Sequence, residues 1–251
     1  MALFRRRTIS IISLALYWPA LLVFAHIPVP ESVRKANVSD KSLHFLAYLV
    51  LAFLLWFSVK PDEKVNWRKK TVWLILIALT IYGVVDEVVQ SFIGRTCDAM
   101  DVASNFAGAL LSLLLLTFIS FNPGALIVAG IVIFAVANIS KANLAEMFPL
   151  VYGIFNFFTY VIFTVFWILN MNRFFMKKRA SFQWLIFAMG VPLFFLLIVK
   201  ISSLFLGREI EAQDIIVSAD AIAAVACIIC LKDVFLNRMG IASETNDFGN
   251  Y

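Results

Sequence analysis

The chain has 251 residues, of which 62% are apolar, 25 are phenylalanine and 15% are charged, with a formal net charge of +5 and a mean hydropathy of +0.91. A soluble domain is about half apolar and about a quarter charged, so this balance excludes an ordinary water-soluble fold and describes an integral membrane protein. The excess lysine and arginine falls in short runs between apolar spans, which makes nucleic acid a poor partner and marks those runs as topology signals.

Crossing a hydrocarbon core about 30 Å thick takes about 20 apolar residues. Eight segments approach that length: 9–27, 42–60, 71–92, 100–120, 124–141, 149–171, 181–204 and 213–233. The first follows Arg5-Arg6-Arg7 in the manner of a secretory signal. It is long and aromatic (Tyr17, Trp18), is interrupted by Pro19 and lacks a small-x-small cleavage site, so it is expected to be retained as a helix. The fourth and fifth segments nearly touch, and Phe121-Asn122-Pro123-Gly124 is expected to turn the chain into a tight helical hairpin. The expected fold is therefore an all-α polytopic membrane bundle of about eight transmembrane helices.

Basic residues give the orientation. Arg5, Arg6 and Arg7, then Lys60, Lys64, Arg68, Lys69 and Lys70, then Arg173, Lys177, Lys178 and Arg179 fall on one side, which the positive-inside rule makes cytoplasmic. Acids collect on the other: Glu31, Asp40, Asp86, Glu87, Asp98, Asp101, Glu146, Glu209, Glu211 and Asp214. Both termini are expected inside, with residues 239–251 as a short cytoplasmic tail.

The polar stretch from Asp86 to Asn105 separates two strongly apolar segments. A charged side chain at the centre of a membrane helix costs roughly 2.5–3.5 kcal/mol on insertion scales, so a cluster at helix ends needs partners, water or a function. His44 lies one helical turn from Asp40 and Tyr48 and three residues from Lys41, which puts them on one face at the outer end of the second helix. Asp86, Glu87 and Gln90 share a face of the third helix, and Asp101 precedes Asn105 by one turn on the fourth. Asp98 has the plain role of a helix N-cap, favoured by the helix dipole.

These spacings predict an outward-facing pocket built from Lys41, His44, Asp86, Glu87, Gln90, Arg95, Asp98, Asp101 and Asn105. Arg95 suits a bidentate grip on phosphate or carboxylate. His44 beside an acid such as Glu87 is the candidate pair for moving protons. The structural alternative is that Arg95 neutralises nearby acids while Gln90, Asn105 and Gly108 tie helices together. One histidine and several acids could hold a hard divalent cation, but no ligand spacing distinguishes that from an ion-pair network, so neither a metal nor a cofactor is assigned. His26 reads as an interfacial side chain, and Cys97, Cys227 and Cys230 as small packing residues.

Three groups of residues taken in order, Asp40-Lys41-x-x-His44-Phe45-x-x-Tyr48, Asp86-Glu87-x-x-Gln90 and Gly94-Arg95-x-x-Asp98-x-x-Asp101-x-x-x-Asn105-x-x-Gly108, resemble the VanZ-like family over about residues 35–120. The resemblance implies a bacterial inner-membrane protein, related to one that confers resistance to the glycopeptide teicoplanin by a mechanism not established. Ile93 stands where a proline often precedes the Gly-Arg pair, and Ser112 where many members repeat a glycine; these departures bear on the turn and on the helix contact behind it.

A degenerate internal repeat accompanies this. Phe92-Ile93-Gly94-Arg95 recurs as Phe205-Leu206-Gly207-Arg208, with Asp101 and Asn105 echoed by Asp214 and Ser218. His44-Phe45-Leu46-Ala47-Tyr48 is echoed by Asn156-Phe157-Phe158-Thr159-Tyr160. The expected organisation is two parallel four-helix halves, 1–122 and 123–238, followed by the tail. The second half carries Val199, Lys200 and Ser203 where the first has Asp86, Glu87 and Gln90. It reads as a scaffold retaining Arg208 and Asp214 as an ion pair. Three functional classes follow: binding or modification of an envelope lipid or lipid-linked glycan, transport or flipping, and a non-catalytic scaffold. The first is preferred as binding, with catalysis left open.

Overall fold

Helix satisfies every backbone N–H and C=O without help from water, which is what a chain needs to cross lipid. The computed structural model describes residues 2–26, 40–61, 63–92, 98–138, 149–174, 181–207 and 210–238, and among them regular structure is helical throughout. The helices are Ala2–His26 (α1), Asp40–Val59 (α2), Lys70–Phe92 (α3), Ala99–Phe118 (α4), Phe121–Asn138 (α5), Pro149–Phe174 (α6), Phe182–Phe205 (α7) and Ala212–Arg238 (α8). Among the described residues, α2 to α8 are each long and apolar enough to cross a membrane, and α1 contributes a shorter apolar stretch, Arg7–Val23. The protein is a multi-pass membrane protein.

Its burial pattern reverses that of a soluble helix. Along α3, Leu74, Ile77, Ile81, Val84, Val85, Val88 and Val89 are exposed, while Asp86, Glu87 and Gln90 are buried. In water that arrangement would expose the apolar face and desolvate the charges, both unfavourable. Facing lipid, it puts apolar side chains against acyl chains and leaves the polar ones to meet inside the protein.

The α4–α5 connection differs from the expected turn. It is Ile119 and Ser120 that leave the helical path, and Phe121-Asn122-Pro123-Gly124 form the first turn of α5. The Gly124 N–H already bonds to the Ser120 carbonyl at 2.9 Å. Proline is tolerated there because a first-turn N–H has no intrahelical acceptor to lose.

Described residues up to Val128 form one compact unit, and those from Ala129 onward form another. In the first unit α2 is central, packed by α1 and most intimately by α4, with α3 against α4. Tyr17 donates to the Ala47 carbonyl at 3.1 Å, and Trp18 meets the Tyr82 ring edge-on. Gly108 permits the α2–α4 seam: a Cβ there would fall against the Phe45 carbonyl, 3.0 Å from its carbon and 3.1 Å from the Leu49 nitrogen.

At one end of this unit the α2–α3 loop is pinned down. Trp56 donates to the Glu63 carbonyl at 2.8 Å, the Val65 N–H to the Leu116 carbonyl at 2.9 Å, and Trp67 to Thr117 at 3.0 Å. The Glu63 carboxylate is held by Lys69 and Lys60, whose hydrogen bonds lower its pKa. At the other end lie the start of α2, the end of α3 and the start of α4, and with them the polar residues.

The second unit is built from α6, α7 and α8 around Trp184, Ile168, Met171, Ala188, Val225 and Ala226. Ser181 caps α7 by accepting the Trp184 N–H at 3.1 Å, and the indole of Trp184 donates to Asn172 at 2.8 Å. After α7 the chain passes through Gly207 at φ +71°, a left-handed conformation that glycine adopts at little cost. Asp214, the expected partner of Arg208, accepts from Lys200 at 3.0 Å, a pair nearly closed to solvent. Arg208 lies outside the described residues, as do residues 239–251.

Candidate functional site

Helical periodicity fixes which face of each helix carries polar side chains; packing of α2, α3 and α4 decides whether those faces meet. They do. His44 on α2, Glu87 on α3 and Asp101 and Asn105 on α4 are all buried, with Glu87 at 0% exposure and Asn105 at 1%. His44 Nδ1 lies 3.1 Å from Asn105 Oδ1. Its other ring nitrogen, Nε2, is 3.6 Å from Glu87 Oε1 and 4.0 Å from Asp101 Oδ2. One ligand atom from each of His44, Glu87 and Asp101 lies within 4.8 Å of the others.

A second layer joins this cluster to the surface. The Asp98 backbone N–H approaches Glu87 Oε2 at 3.4 Å, and the Asp98 side chain caps α4 by accepting the Met100 N–H at 2.8 Å. Lys41 closes the rim on Asp98 at 3.1 Å, with both side chains partly in solvent. The Met100 bond, followed by Lys41, holds the Asp98 carboxyl below the usual aspartate range. Along α3, Gln90 donates to Asp86 at 3.0 Å, as their four-residue spacing predicts.

The structure thus brings together Lys41, His44, Glu87, Asp98, Asp101 and Asn105 in one connected set, with Asp86 and Gln90 paired along α3. Gly94, Arg95 and Cys97 lie outside the described residues, as do the side chains of His26 and Asp40. Sequence reasoning gave no functional role to Gly83 or Ser112. Gly83 leaves room for Asn105, since a Cβ there would come within 3.2 Å of Asn105 Nδ2 and 3.4 Å of the Tyr48 hydroxyl. Ser112 is fully buried on the same helix as Asn105. A glycine one turn before Asp86-Glu87 was the available signal.

The electrostatic character is acidic. Asp86, Glu87 and Asp101 are buried with one histidine, while the described cation nearest them, Lys41, is committed to Asp98. Buried carboxylates need a compensating charge or a proton, because desolvation costs each several kcal/mol. Among the described residues, Glu87 Oε1, Asn105 Nδ2, the Tyr48 hydroxyl and Ser112 Oγ have no hydrogen-bond partner.

Residues 6–121 match the family model described as VanZ/LLP1, which spans α1 to α4 and every residue of this cluster. Neither a curated protein nor a solved structure matches the chain.

Proposed function

Residues 6–121 being VanZ-like, we propose that the chain is a bacterial inner-membrane protein whose polar cluster binds the anionic headgroup of an envelope lipid or lipid-linked glycan. The cluster faces outward, the termini lie in the cytoplasm, and headgroup binding underlies a contribution to teicoplanin-type glycopeptide resistance. The observation that carries this reading is the burial of His44, Asp86, Glu87, Gln90, Asp101 and Asn105 in a unit whose lipid-facing surface is apolar. Intramembrane ionisable groups kept at such cost are functional by default.

In this reading Arg95 grips the phosphate bidentately, and Lys41 at the rim draws anions toward the opening. Asn105 orients the His44 ring, and His44 with Glu87 holds the proton or charge that offsets the acids. A second reading, a small transporter or flippase, is favoured by the division of the chain into two compact units and by the repeated Gly-Arg and aspartate spacing. Labelling that changes with substrate on both membrane faces supports transport; labelling confined to one face supports binding alone.

The test is lipid retention by purified protein, read by native mass spectrometry, for the parent chain and for His44→Ala, Glu87→Ala and Arg95→Ala. Anionic lipid is expected to bind at least tenfold more weakly to each variant that retains its helical signal. Folded variants that hold the lipid as tightly as the parent would make the cluster structural and end the proposal.

A further inference from the structure

We propose that His44 Nε2, Glu87 and Asp101 form a binding site for one divalent transition-metal cation, Zn²⁺ or Mn²⁺. The distances fit shared coordination better than direct hydrogen bonding. His44 Nε2 stands 3.6 Å from Glu87 Oε1 and 4.0 Å from Asp101 Oδ2, beyond the usual hydrogen-bond range of about 2.7–3.2 Å. Two ligands each about 2.1 Å from a tetrahedral ion lie about 3.4 Å apart.

The ring is also turned the right way. A hydrogen bond into Asn105 Oδ1 at 3.1 Å requires the hydrogen on Nδ1. In the neutral ring Nε2 then carries a lone pair directed at two carboxylates. Fixing one imidazole nitrogen by a second residue so that the other can ligate is the usual arrangement around bound metal. Glu87 supplies an independent sign: it is fully buried, and its Oε1 has no hydrogen-bond partner among the described residues. Its single carboxylate charge and that of Asp101 together balance a divalent ion when His44 is neutral. One nitrogen and two carboxylates select a borderline transition ion over Ca²⁺.

The second unit offers a comparison. Seven residues on either side of Gly94 stand Glu87 and Asp101; seven on either side of Gly207 stand Lys200 and Asp214. There the lysine ammonium, 3.0 Å from Asp214, supplies the positive charge from the chain itself. In the first unit both positions are acids, and a bound cation takes the part that Lys200 plays in the second. Where the headgroup reading above holds, the remaining coordination positions of the ion accept a phosphate oxygen, which reconciles an anionic ligand with an acidic site.

Full-length protein, metal-depleted and kept in zwitterionic detergent without phosphate, is titrated with ZnCl₂ and with MnCl₂ by calorimetry. One ion per chain is expected, bound at least tenfold more weakly by Glu87→Gln and Asp101→Asn and unchanged by Glu63→Gln at the opposite end of the unit. Bound Mn²⁺ should show pulsed-EPR coupling to a histidine nitrogen, a measurement on the parent chain that survives any folding failure of the variants. Absence of binding, equal binding by Glu87→Gln, or Mn²⁺ without histidine coupling overturns the site; a His44 imidazolium paired with the acids would give the first result. A bound ion whose removal leaves lipid retention unchanged supports the cation site but not its bridging role. Tight lipid retention by a chain that binds no ion leaves the headgroup reading standing and removes the metal.

Discussion

Replacing Gly108 by alanine should destabilise the protein although alanine is the better helix former. In an exposed helix the exchange gains about 1 kcal/mol. Here the new Cβ meets backbone: the Phe45 carbonyl oxygen, its carbon at 3.0 Å and the Leu49 nitrogen at 3.1 Å. Backbone atoms in mid-helix cannot rotate aside, so α2 and α4 must separate. A gap of 0.5–1 Å forfeits a quarter to a half of each contact, and about 30 atom pairs at 0.1–0.2 kcal/mol then lose about 1–2 kcal/mol. Strain and the cost of overpacking, about 1–3 kcal/mol, add to that and exceed the propensity gain. The expected net loss is about 1–4 kcal/mol, more for Gly108→Val. The same separation stretches the 3.1 Å His44–Asn105 bond, so ligand binding should weaken as well. Gly153→Ala and Gly190→Ala are the controls, since a Cβ at either meets nothing within 4 Å; they should be neutral or stabilising by up to about 1 kcal/mol. Denaturant titration of the helical circular dichroism signal in micelles measures all of these. A Gly108→Ala chain as stable as Gly153→Ala would refute the close-seam reasoning.

In the second unit, Lys200→Met strands the buried Asp214 carboxylate and should cost about 3–5 kcal/mol, whereas Lys200→Met with Asp214→Leu should recover most of it; the same titration reads both. Asn105→Leu removes the acceptor from His44 Nδ1 and should cost about 1–3 kcal/mol for the unsatisfied donor, along with the binding function. For pH, the Asp98 carboxyl is lowered in the folded chain by the Met100 N–H and Lys41. Its stabilising contribution is therefore present above the unfolded aspartate value and lost as pH falls through the lower folded value. Thermal midpoints followed downward from about pH 4 should fall less for Asp98→Asn than for the parent, and identical acid profiles would count against the rim pair.

Much of the bundle was legible because length and apolarity alone decide where a chain can cross lipid. Seven of the eight expected segments fall within a few residues of α2 to α8, and the first overlaps α1. Pro123 misled because proline marks both turns and first helical turns, and only the Gly124–Ser120 bond distinguishes them. Within the site, spacing could show that Asp86 and Gln90 share a face, and they bond. It could not show that His44 meets Asn105 across 61 residues, since periodicity gives the face of a helix but not its neighbour. Asn105 read first as a packing amide for that reason. Glu63 was invisible amid the basic loop, where local charge counting hides the one acid that Lys60 and Lys69 share.

Headgroup binding at His44 is tested most directly by solid-state NMR of the ¹⁵N-histidine-labelled protein in anionic bilayers. The chain has only two histidines, so His44→Gln assigns the signals. A dipolar contact between the His44 imidazole and lipid ³¹P, persisting when zwitterionic lipid is in excess and lost in Glu87→Ala, is the predicted result. An imidazole with no phosphorus contact, in a protein otherwise folded and bilayer-embedded, would contradict it.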